Sequence, residues 1–140
     1  MFESVPKYQQ WLEQNLNQQA AVAGSVHLVR DGALHLVAAR NLPPPVLAAV
    51  AVVPEGKGMA GLAMQRKIPV STCNLQTDES GDVRPGARAV QAQAAIAVPV
   101  LDGAQGVSAV VGYAWGDQRE LDETLRQHLS RQAQDLMHLL

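Results

Sequence analysis

Cysteine and histidine are the residues through which a small chain would most readily perform covalent or metal-assisted chemistry. The 140 residues include one cysteine, Cys73, and four histidines. One cysteine cannot form an intramolecular disulfide, and the scattered histidines lack the ligand spacing of a cysteine-rich zinc site. No Ser/His/Asp set or carboxylate pair is apparent either. We therefore expect no catalytic residue and no metal site, and we interpret Cys73 as a small buried apolar residue.

Two arginines suggest a different chemistry, the binding of an anion. Arg84 and Arg88 lie near the start of a short helix that the sequence predicts over residues 87–94. Free backbone N–H groups and the helix dipole favour negative charge at such a position, and guanidinium groups bind oxyanions through charge-assisted hydrogen bonds. The sequence therefore suggests a site for a small anion such as nitrate or a carboxylate. The alternative is that both arginines are solvated on a surface loop.

The aromatic residues near the end of the chain form a second candidate. Tyr113 and Trp115 alternate with Ala114 in a predicted strand, so both side chains lie on one face of the sheet. They either line a cavity or cap the core, and the sequence favours neither interpretation.

The first half of the chain predicts a helix followed by a β-hairpin. Apolar residues at helical spacing indicate an amphipathic helix over about residues 6–22. Two β-rich runs then flank Asp31 and Gly32, a dipeptide typical of a two-residue hairpin turn. This turn pairs Leu28 with His35 and His27 with Leu36, which places the two histidines on opposite faces. We interpret both as sheet residues with a satisfied hydrogen bond, and we place His128 and His138 on the solvated side of the last helix.

The middle of the chain predicts short elements separated by proline and glycine. Prolines 43–45 end the second strand, and residues 46–53 form an apolar run that suits a short helix. Residues 59–66 predict another helix, which Pro69 ends, and residues 68–75 predict a short strand. The polar stretch 76–86 is typical of a surface loop.

A second hairpin and a long helix complete the pattern. The hairpin runs from Ala95 to Trp115 with its turn around residues 102–103, and its strands are apolar on both faces. Residues 120–140 carry leucines along one stripe and predict the longest helix of the chain. The order of elements indicates an α+β domain with an antiparallel sheet.

Composition limits the possible functions. The length suits a single domain over residues 1–140, with a core of about 24–117 between the terminal helices. A net charge of −2 with no basic run argues against binding of DNA or RNA. No apolar run has the length of a membrane span, and the N-terminus lacks the layout of a signal peptide. We therefore expect a cytoplasmic protein that contacts neither nucleic acid nor membrane.

Three segments of the sequence resemble the GAF family. They are the glycine-bounded helix and Pro-Val strand start at residues 54–70, the strand that ends in Pro-Val-Leu-Asp-Gly at residues 95–103, and residues 107–116 before the final helix. The resemblance covers about residues 24–140. It implies a central antiparallel sheet of five or six strands, with the terminal helices on one face and short helices and loops over a ligand cavity on the other.

The resemblance also directs the choice of candidate ligand residues. The candidates for the cavity are Met59, Cys73, Arg84, Arg88, Ile96, Tyr113 and Trp115. Members of the family bind very different small molecules, so the sequence names neither the ligand nor a cofactor.

Some proteins of this family are free methionine-R-sulfoxide reductases, which need a thiolate and further thiols to resolve the product. They have a cysteine at the start of the glycine-bounded helix and another in the loop before the Ile-Ala-Val-Pro strand. In this chain Met59 occupies the first position, and residues 86–89 contain no sulfur. We therefore do not expect an enzyme.

The sequence supports a sensory domain that binds a small, anionic metabolite and signals through a protein partner or through a homodimer. The apolar stripes on the terminal helices either form the dimer interface or pack on the sheet. A second hypothesis is an interaction module without ligand, whose cavity is filled by Met59, Leu62, Ile96 and Trp115. A methionine sulfoxide reductase is the third.

Overall fold

The computed structural model describes residues 2–77, 80, 92–103 and 106–140. The helices are α1 (Pro6–Gln18), α2 (Pro44–Ala49), α3 (Gly58–Arg66) and α4 (Glu123–Gln134), and a 3-10 turn follows α4 at Asp135–Leu139. The strands are β1 (Ala23–Arg30), β2 (Ala33–Arg40), β3 (Val52–Pro54), β4 (Val70–Thr72), β5 (Ala95–Leu101) and β6 (Val107–Ala114). They form one sheet in the order β3-β2-β1-β6-β5-β4, and every pairing is antiparallel. The predicted α+β fold is confirmed.

The first hairpin has the predicted turn and register. Asp31 and Gly32 have φ angles of 53° and 77°. Positive φ at both central residues is the requirement of a type I′ turn, which explains why this dipeptide specifies the hairpin. His35 pairs with Leu28, whose side chain belongs to the hydrophobic core that packs against α1 and α4. His27 pairs with Leu36, and its side chain lines a cavity on the opposite face of the sheet. The predicted placement of the histidines on opposite faces is therefore also confirmed.

The terminal helices pack together on one face of the sheet. Alternate residues of β1, β5 and β6 form one core with Leu12 and Leu16 of α1, Leu129 and Ala133 of α4, and Leu136 of the 3-10 turn. The apolar stripes that the sequence shows on α1 and α4 are thus buried against the sheet of the same chain. No described helix has the length and apolar character required to cross a membrane.

Both terminal helices are shorter than predicted. Ala20 adopts a φ of 54°, and the indole Nε1 of Trp115 donates to the carbonyl of Gln19 at 3.0 Å, so α1 ends at Gln18 rather than near residue 22. Asp122 caps α4 by accepting a hydrogen bond from the N–H of Leu125 at 2.9 Å, which sets its start at Glu123. The α4 helix is therefore not the longest of the chain.

The middle of the chain contains the largest differences from the sequence-based expectation. The apolar run 46–53 splits into the end of α2 and the edge strand β3, which pairs with β2 through Val52, Val53 and Pro54. Cross-strand pairing thus overrides a pattern that suits a helix. The predicted strand 68–75 is reduced to β4. The predicted helix 87–94 falls largely outside the described residues, and its described part, residues 92–94, is not helical.

Candidate functional site: a cavity over a floor of small residues

The central strands present unusually small side chains on the face opposite α1 and α4. Two rows of paired positions cross β5, β6 and β1. One row is Ala95, Ala114 and Ala23, and the other is Ala97, Gly112 and Ser25. Larger residues at these positions would fill the space between the sheet and the short helices. The six residues therefore form the floor of a cavity.

The cavity has a volume of about 390 Å³. This value lies at the lower end of the range for small-molecule sites in proteins. Besides the six floor residues, the described lining consists of Gly24, His27, Leu42, Pro45, Val46, Ala49, Val50, Val53, Lys57, Gly58, Met59, Ala60, Leu75, Ile96 and Tyr113. Its surface is largely apolar, so it suits a compact ligand with an apolar body.

Helices α2 and α3 cover the floor. Val46 of α2 is 6 % exposed and packs with Leu75 and three alanines of the floor. Met59, near the start of α3, contacts the same cluster and a neighbouring one around Ala97 and Val110. The cavity thus lies between the sheet and two short helices from the middle of the chain.

One end of the cavity has a positive electrostatic character. The N-terminus of α3 lies there, and Lys57 to Ala60 all belong to the lining. The side chain of Lys57, the N-cap residue, does not cap this helix, and the first turn contains no acidic residue. The helix dipole therefore acts together with the charge of Lys57.

His27 is a deeply buried polar side chain of the lining, with 3 % exposure. Its Nε2 lies 2.8 Å from the carbonyl oxygen of Val50, so Nε2 carries the proton and Nδ1 is an acceptor. Burial lowers the pKa of His27, the bond to Val50 opposes this, and nearby His35 lowers it further. Nδ1 is buried and has no hydrogen-bond partner in the described part of the chain. The prediction of a satisfied histidine therefore holds for one ring nitrogen only.

The structure places the predicted site residues in several different environments. Met59 lines the cavity. Ile96 and Tyr113 also belong to the lining, but their side chains pack in the core beneath α1 and α4. The hydroxyl of Tyr113 has no partner there, and burial, with a smaller effect of Asp135, raises the pKa of this phenol. The phenol therefore stays protonated and contributes no charge to the cavity.

Two other candidates lie away from the cavity. Trp115 is 1 % exposed and stacks against Tyr113 on the helix side of the sheet, with 6.4 Å between ring centroids. The prediction that both aromatic side chains lie on the same face of the sheet is confirmed. That face carries the core beneath α1 and α4. Cys73 follows the end of β4 and is exposed, so the interpretation as a buried residue is wrong. Arg84 and Arg88 lie outside the described residues.

The four residues expected to fill the cavity do not do so. Trp115 and Ile96 pack on the opposite face because odd and even positions of a strand point to opposite sides. Leu62 is only partly buried, against a cluster beside the cavity. Met59 lines the cavity without filling it, so open space remains.

Sequence reasoning missed the residues that create the space. It searched for large or reactive side chains, whereas the floor is defined by Ala, Gly and Ser at alternate positions of three strands. That alternation was present in the sequence and is the signal that would have located the cavity. No sequence pattern predicts that α2 lines the cavity, because its position over the sheet depends on the path of the chain between β2 and β3.

A family model described as GAF domain matches residues 9–140. The chain belongs to the GAF domain family. No curated protein matches the sequence. The cavity described above therefore lies in a GAF domain.

Solved structures agree with this GAF assignment at the level of the fold. The type II free methionine-R-sulfoxide reductase of Thermoplasma acidophilum is 15 % identical, with a TM-score of 0.73 over 96 % of this chain and 92 % of that chain. The GAF domain of an Acinetobacter phosphoenolpyruvate-protein phosphotransferase is 19 % identical, with a TM-score of 0.69 over 91 % and 78 %. The substrate complex of the Neisseria meningitidis free methionine-R-sulfoxide reductase is also 19 % identical, with a TM-score of 0.68 over 91 % and 76 %.

Proposed function

We propose that this GAF domain binds a small molecule in the cavity between its sheet and α2/α3 and serves as a sensory, regulatory domain. The observation that carries the proposal is the cavity itself. Its floor consists only of Ala, Gly and Ser at six paired positions, although the opposite face of the same strands is filled by large side chains. Open apolar space costs stability, so its presence favours a function for it.

The position of α2 gives the ligand a way to influence the rest of the domain. His27 on the floor strand β1 holds the carbonyl of Val50, the residue that ends α2. A molecule bound between the floor and the covering helices would contact the sheet and these helices at once. If it binds one arrangement of α2 and α3 more tightly than another, it favours that arrangement. A protein partner, or a second copy of the chain, would respond to that bias. Because the apolar stripes of α1 and α4 are already buried, a homodimer would use their outer faces.

Binding rather than catalysis is the proposed role. Cys73 is exposed and lies outside the described lining of the cavity, so a ligand on the floor would not meet a thiol. The two reductases of similar fold support the idea that this fold holds small polar metabolites. Because these reductases are less than 20 % identical to this chain, their support for small-molecule binding comes from the shared fold alone.

The proposal is tested by native mass spectrometry of the purified protein together with the variant Ala95→Leu. Leucine at this floor position extends into the cavity. We expect the wild type to carry a co-purified small mass and the variant to lack it, with the thermal midpoint of the ligand-free variant unchanged or raised because more apolar surface is buried. The same spectra report whether the chain is a homodimer.

Ala48→Leu is the matched control, because residue 48 is exposed on α2 and lies outside the described lining. This control should retain the bound mass. Equal ligand occupancy in Ala95→Leu and the wild type would contradict the assignment of the cavity. A ligand-free mass for all three proteins would favour the interaction module instead.

A further inference from the structure

We propose that the ligand of this cavity places an uncharged polar group on the hydroxyl of Ser25, beside the gap that Gly112 leaves in the floor. The proposal rests on the binding function proposed above and specifies the part of the ligand that lies on the sheet. It names a polar contact on β1 that does not depend on Arg84 or Arg88.

Gly112 leaves a gap in the row of side chains on a central strand. It lies within β6, where it pairs with Ser25 of β1 and with Ala97 of β5. The register of β6 with β1 is continuous, and its register with β5 shifts only between Val100 and Leu101, so no bulge accounts for the glycine. A glycine inside a strand weakens it, and one reason to find it there is the close approach of a ligand or another backbone.

A comparison with Gly24 shows that no described protein group requires the gap at Gly112. A Cβ atom on Gly24 would lie 2.6 Å from the side chain of Leu16, so the approach of α1 accounts for that glycine. Apart from its chain neighbours, a Cβ on Gly112 would come within 4 Å of Ser25 alone among the described residues, at 2.8 Å from Oγ and 3.8 Å from N. Gly112 and Ser25 are also only partly buried, although β1 and β6 are the central strands of the sheet. The space above them therefore belongs to the cavity and admits a ligand.

The hydroxyl of Ser25 is available for a hydrogen bond to that ligand. Its Oγ bonds to no described residue and stays accessible, in contrast to the buried Nδ1 of His27 and the buried hydroxyl of Tyr113. A Cβ atom at position 112 would clash with this oxygen, so the glycine permits the observed orientation of the hydroxyl. A serine hydroxyl both donates and accepts hydrogen bonds. Ser25 therefore suits a hydroxyl, carbonyl or amide group of the ligand.

The described lining favours an uncharged group at this position. It contains no Asp, Glu or Arg, and Lys57, at the α3 end of the cavity, is exposed. The other floor residues are alanines and Gly112, whose side chains form no hydrogen bonds. A charged group on this floor would lose hydration without gaining a countercharge, which costs more than the burial of a neutral polar group. One neutral polar group on a compact apolar body fits the volume of about 390 Å³.

An NMR titration of the ligand-free protein with three matched probes tests the proposal. Phenol, toluene and benzoate share an aromatic ring, but they carry a hydroxyl, a methyl group and a carboxylate, respectively. The backbone amide signals of Ser25, Ala97 and Gly112 in a proton–nitrogen correlation spectrum report binding on the floor. We expect phenol and toluene to shift these signals, and benzoate to leave them unchanged at the concentration at which phenol saturates the site.

The variant Ser25→Ala removes the hydroxyl and leaves the cavity open. It should weaken phenol binding about fivefold, the effect of one neutral hydrogen bond, and leave toluene binding unchanged or tighter. Ser130→Ala is the matched control, since Ser130 is partly buried on α4 and lies outside the described lining. This control should bind both probes as the wild type does.

The variant Gly112→Ala tests the gap itself, because its Cβ atom would occupy the space beside the Oγ of Ser25. We expect phenol to bind about fivefold more weakly, since the hydroxyl of Ser25 has to turn away from the probe. The spectrum of the variant shows in the same experiment whether the sheet is intact. Unchanged phenol binding to a folded Gly112→Ala would contradict the role of the gap.

The other results separate this proposal from the binding function. Equal phenol affinities of wild type and Ser25→Ala would overturn the assignment of the hydroxyl. Benzoate that shifts the floor signals as readily as phenol does would overturn the uncharged group. If neither phenol nor toluene shifts these signals, the contact on the floor is wrong, and the bound mass in the wild type and its absence from Ala95→Leu then decide the binding function separately.

Discussion

At the scale of single residues, His27 connects the floor of the cavity to its roof. Its ring donates to the carbonyl of Val50, while burial keeps the imidazole neutral by lowering its pKa. Protonation would add a second N–H to a ring whose Nδ1 has no acceptor nearby. The folded domain therefore favours the neutral imidazole of His27, and the same imidazole takes up a proton more readily in the unfolded chain.

This difference predicts a pH dependence of stability. Because the pKa of His27 in the folded state is below its unfolded value of about 6.5, the unfolded state gains a proton first as the pH falls. The free energy of unfolding should therefore decrease below about pH 6.5, at no more than about 1.4 kcal/mol per pH unit from this group. Urea denaturation between pH 7.5 and 5.5 measures the slope.

The variant His27→Gln isolates the contribution of the imidazole, since glutamine retains a side-chain donor but does not titrate. We expect a shallower slope in this variant over the same pH range. His128→Gln is the control, because it removes an exposed imidazole that lies outside the described lining of the cavity. An identical slope in wild type and His27→Gln would show that other groups determine the acid sensitivity.

At the scale of elements, α3 is positioned by its close approach to β3. A Cβ atom on Gly61 would lie 2.5 Å from the carbonyl oxygen of Pro54, at the end of β3. The carbonyl of Gly61 also accepts a hydrogen bond from the N–H of Gly56 at 2.8 Å. Neither backbone can move freely, so the glycine fixes the distance between the helix and the strand.

Gly61→Ala should therefore destabilise the domain. Overpacking against backbone costs about 1 to 3 kcal/mol, and the better helix propensity of alanine offsets at most about 1 kcal/mol of it. We expect a net loss of about 1 to 2 kcal/mol in urea denaturation. Gly103→Ala is the control because no atom lies within 4 Å of its added Cβ, and it should have little effect. A neutral Gly61→Ala would contradict the close packing of α3.

The elements also show what sequence patterns can and cannot specify. The Asp31-Gly32 turn has a local cause, positive φ at both positions, so the hairpin and its register were predictable. The strand β3 has no local cause, because residues 52–54 become a strand only by pairing with β2. Exposure of Cys73 depends likewise on where β4 ends. Non-local contacts therefore account for most of the differences between the sequence-based predictions and the structure, both in the fold and in the lining of the cavity.

At the scale of the whole molecule, solved structures of similar fold include a free methionine-R-sulfoxide reductase and the GAF domain of a phosphoenolpyruvate-protein phosphotransferase, so the fold alone does not decide the role of this chain. The distinction depends on the groups in the cavity. Those of this chain are suited to holding a ligand: an uncapped helix, one lysine, one neutral histidine and a small apolar floor.

We therefore predict no turnover of free methionine-R-sulfoxide by the purified protein with a dithiol reductant. The chain has a single thiol, and the exposed Cys73 is not among the described residues around the cavity. The assay follows methionine formation by chromatography, with Cys73→Ala in parallel. A rate in the wild type that disappears in Cys73→Ala would show that the protein is an enzyme after all.

The pairing of β1 with β6 has a consequence for biosynthesis. Ala23 and Ala114 lie side by side on the floor of the cavity, although they come from opposite ends of the chain. During translation the first hairpin emerges early, but its open edge has no partner until β6 has left the ribosome. The floor of the cavity therefore forms only after β6 has been made, so the ligand binding proposed above would begin late in the synthesis of the domain.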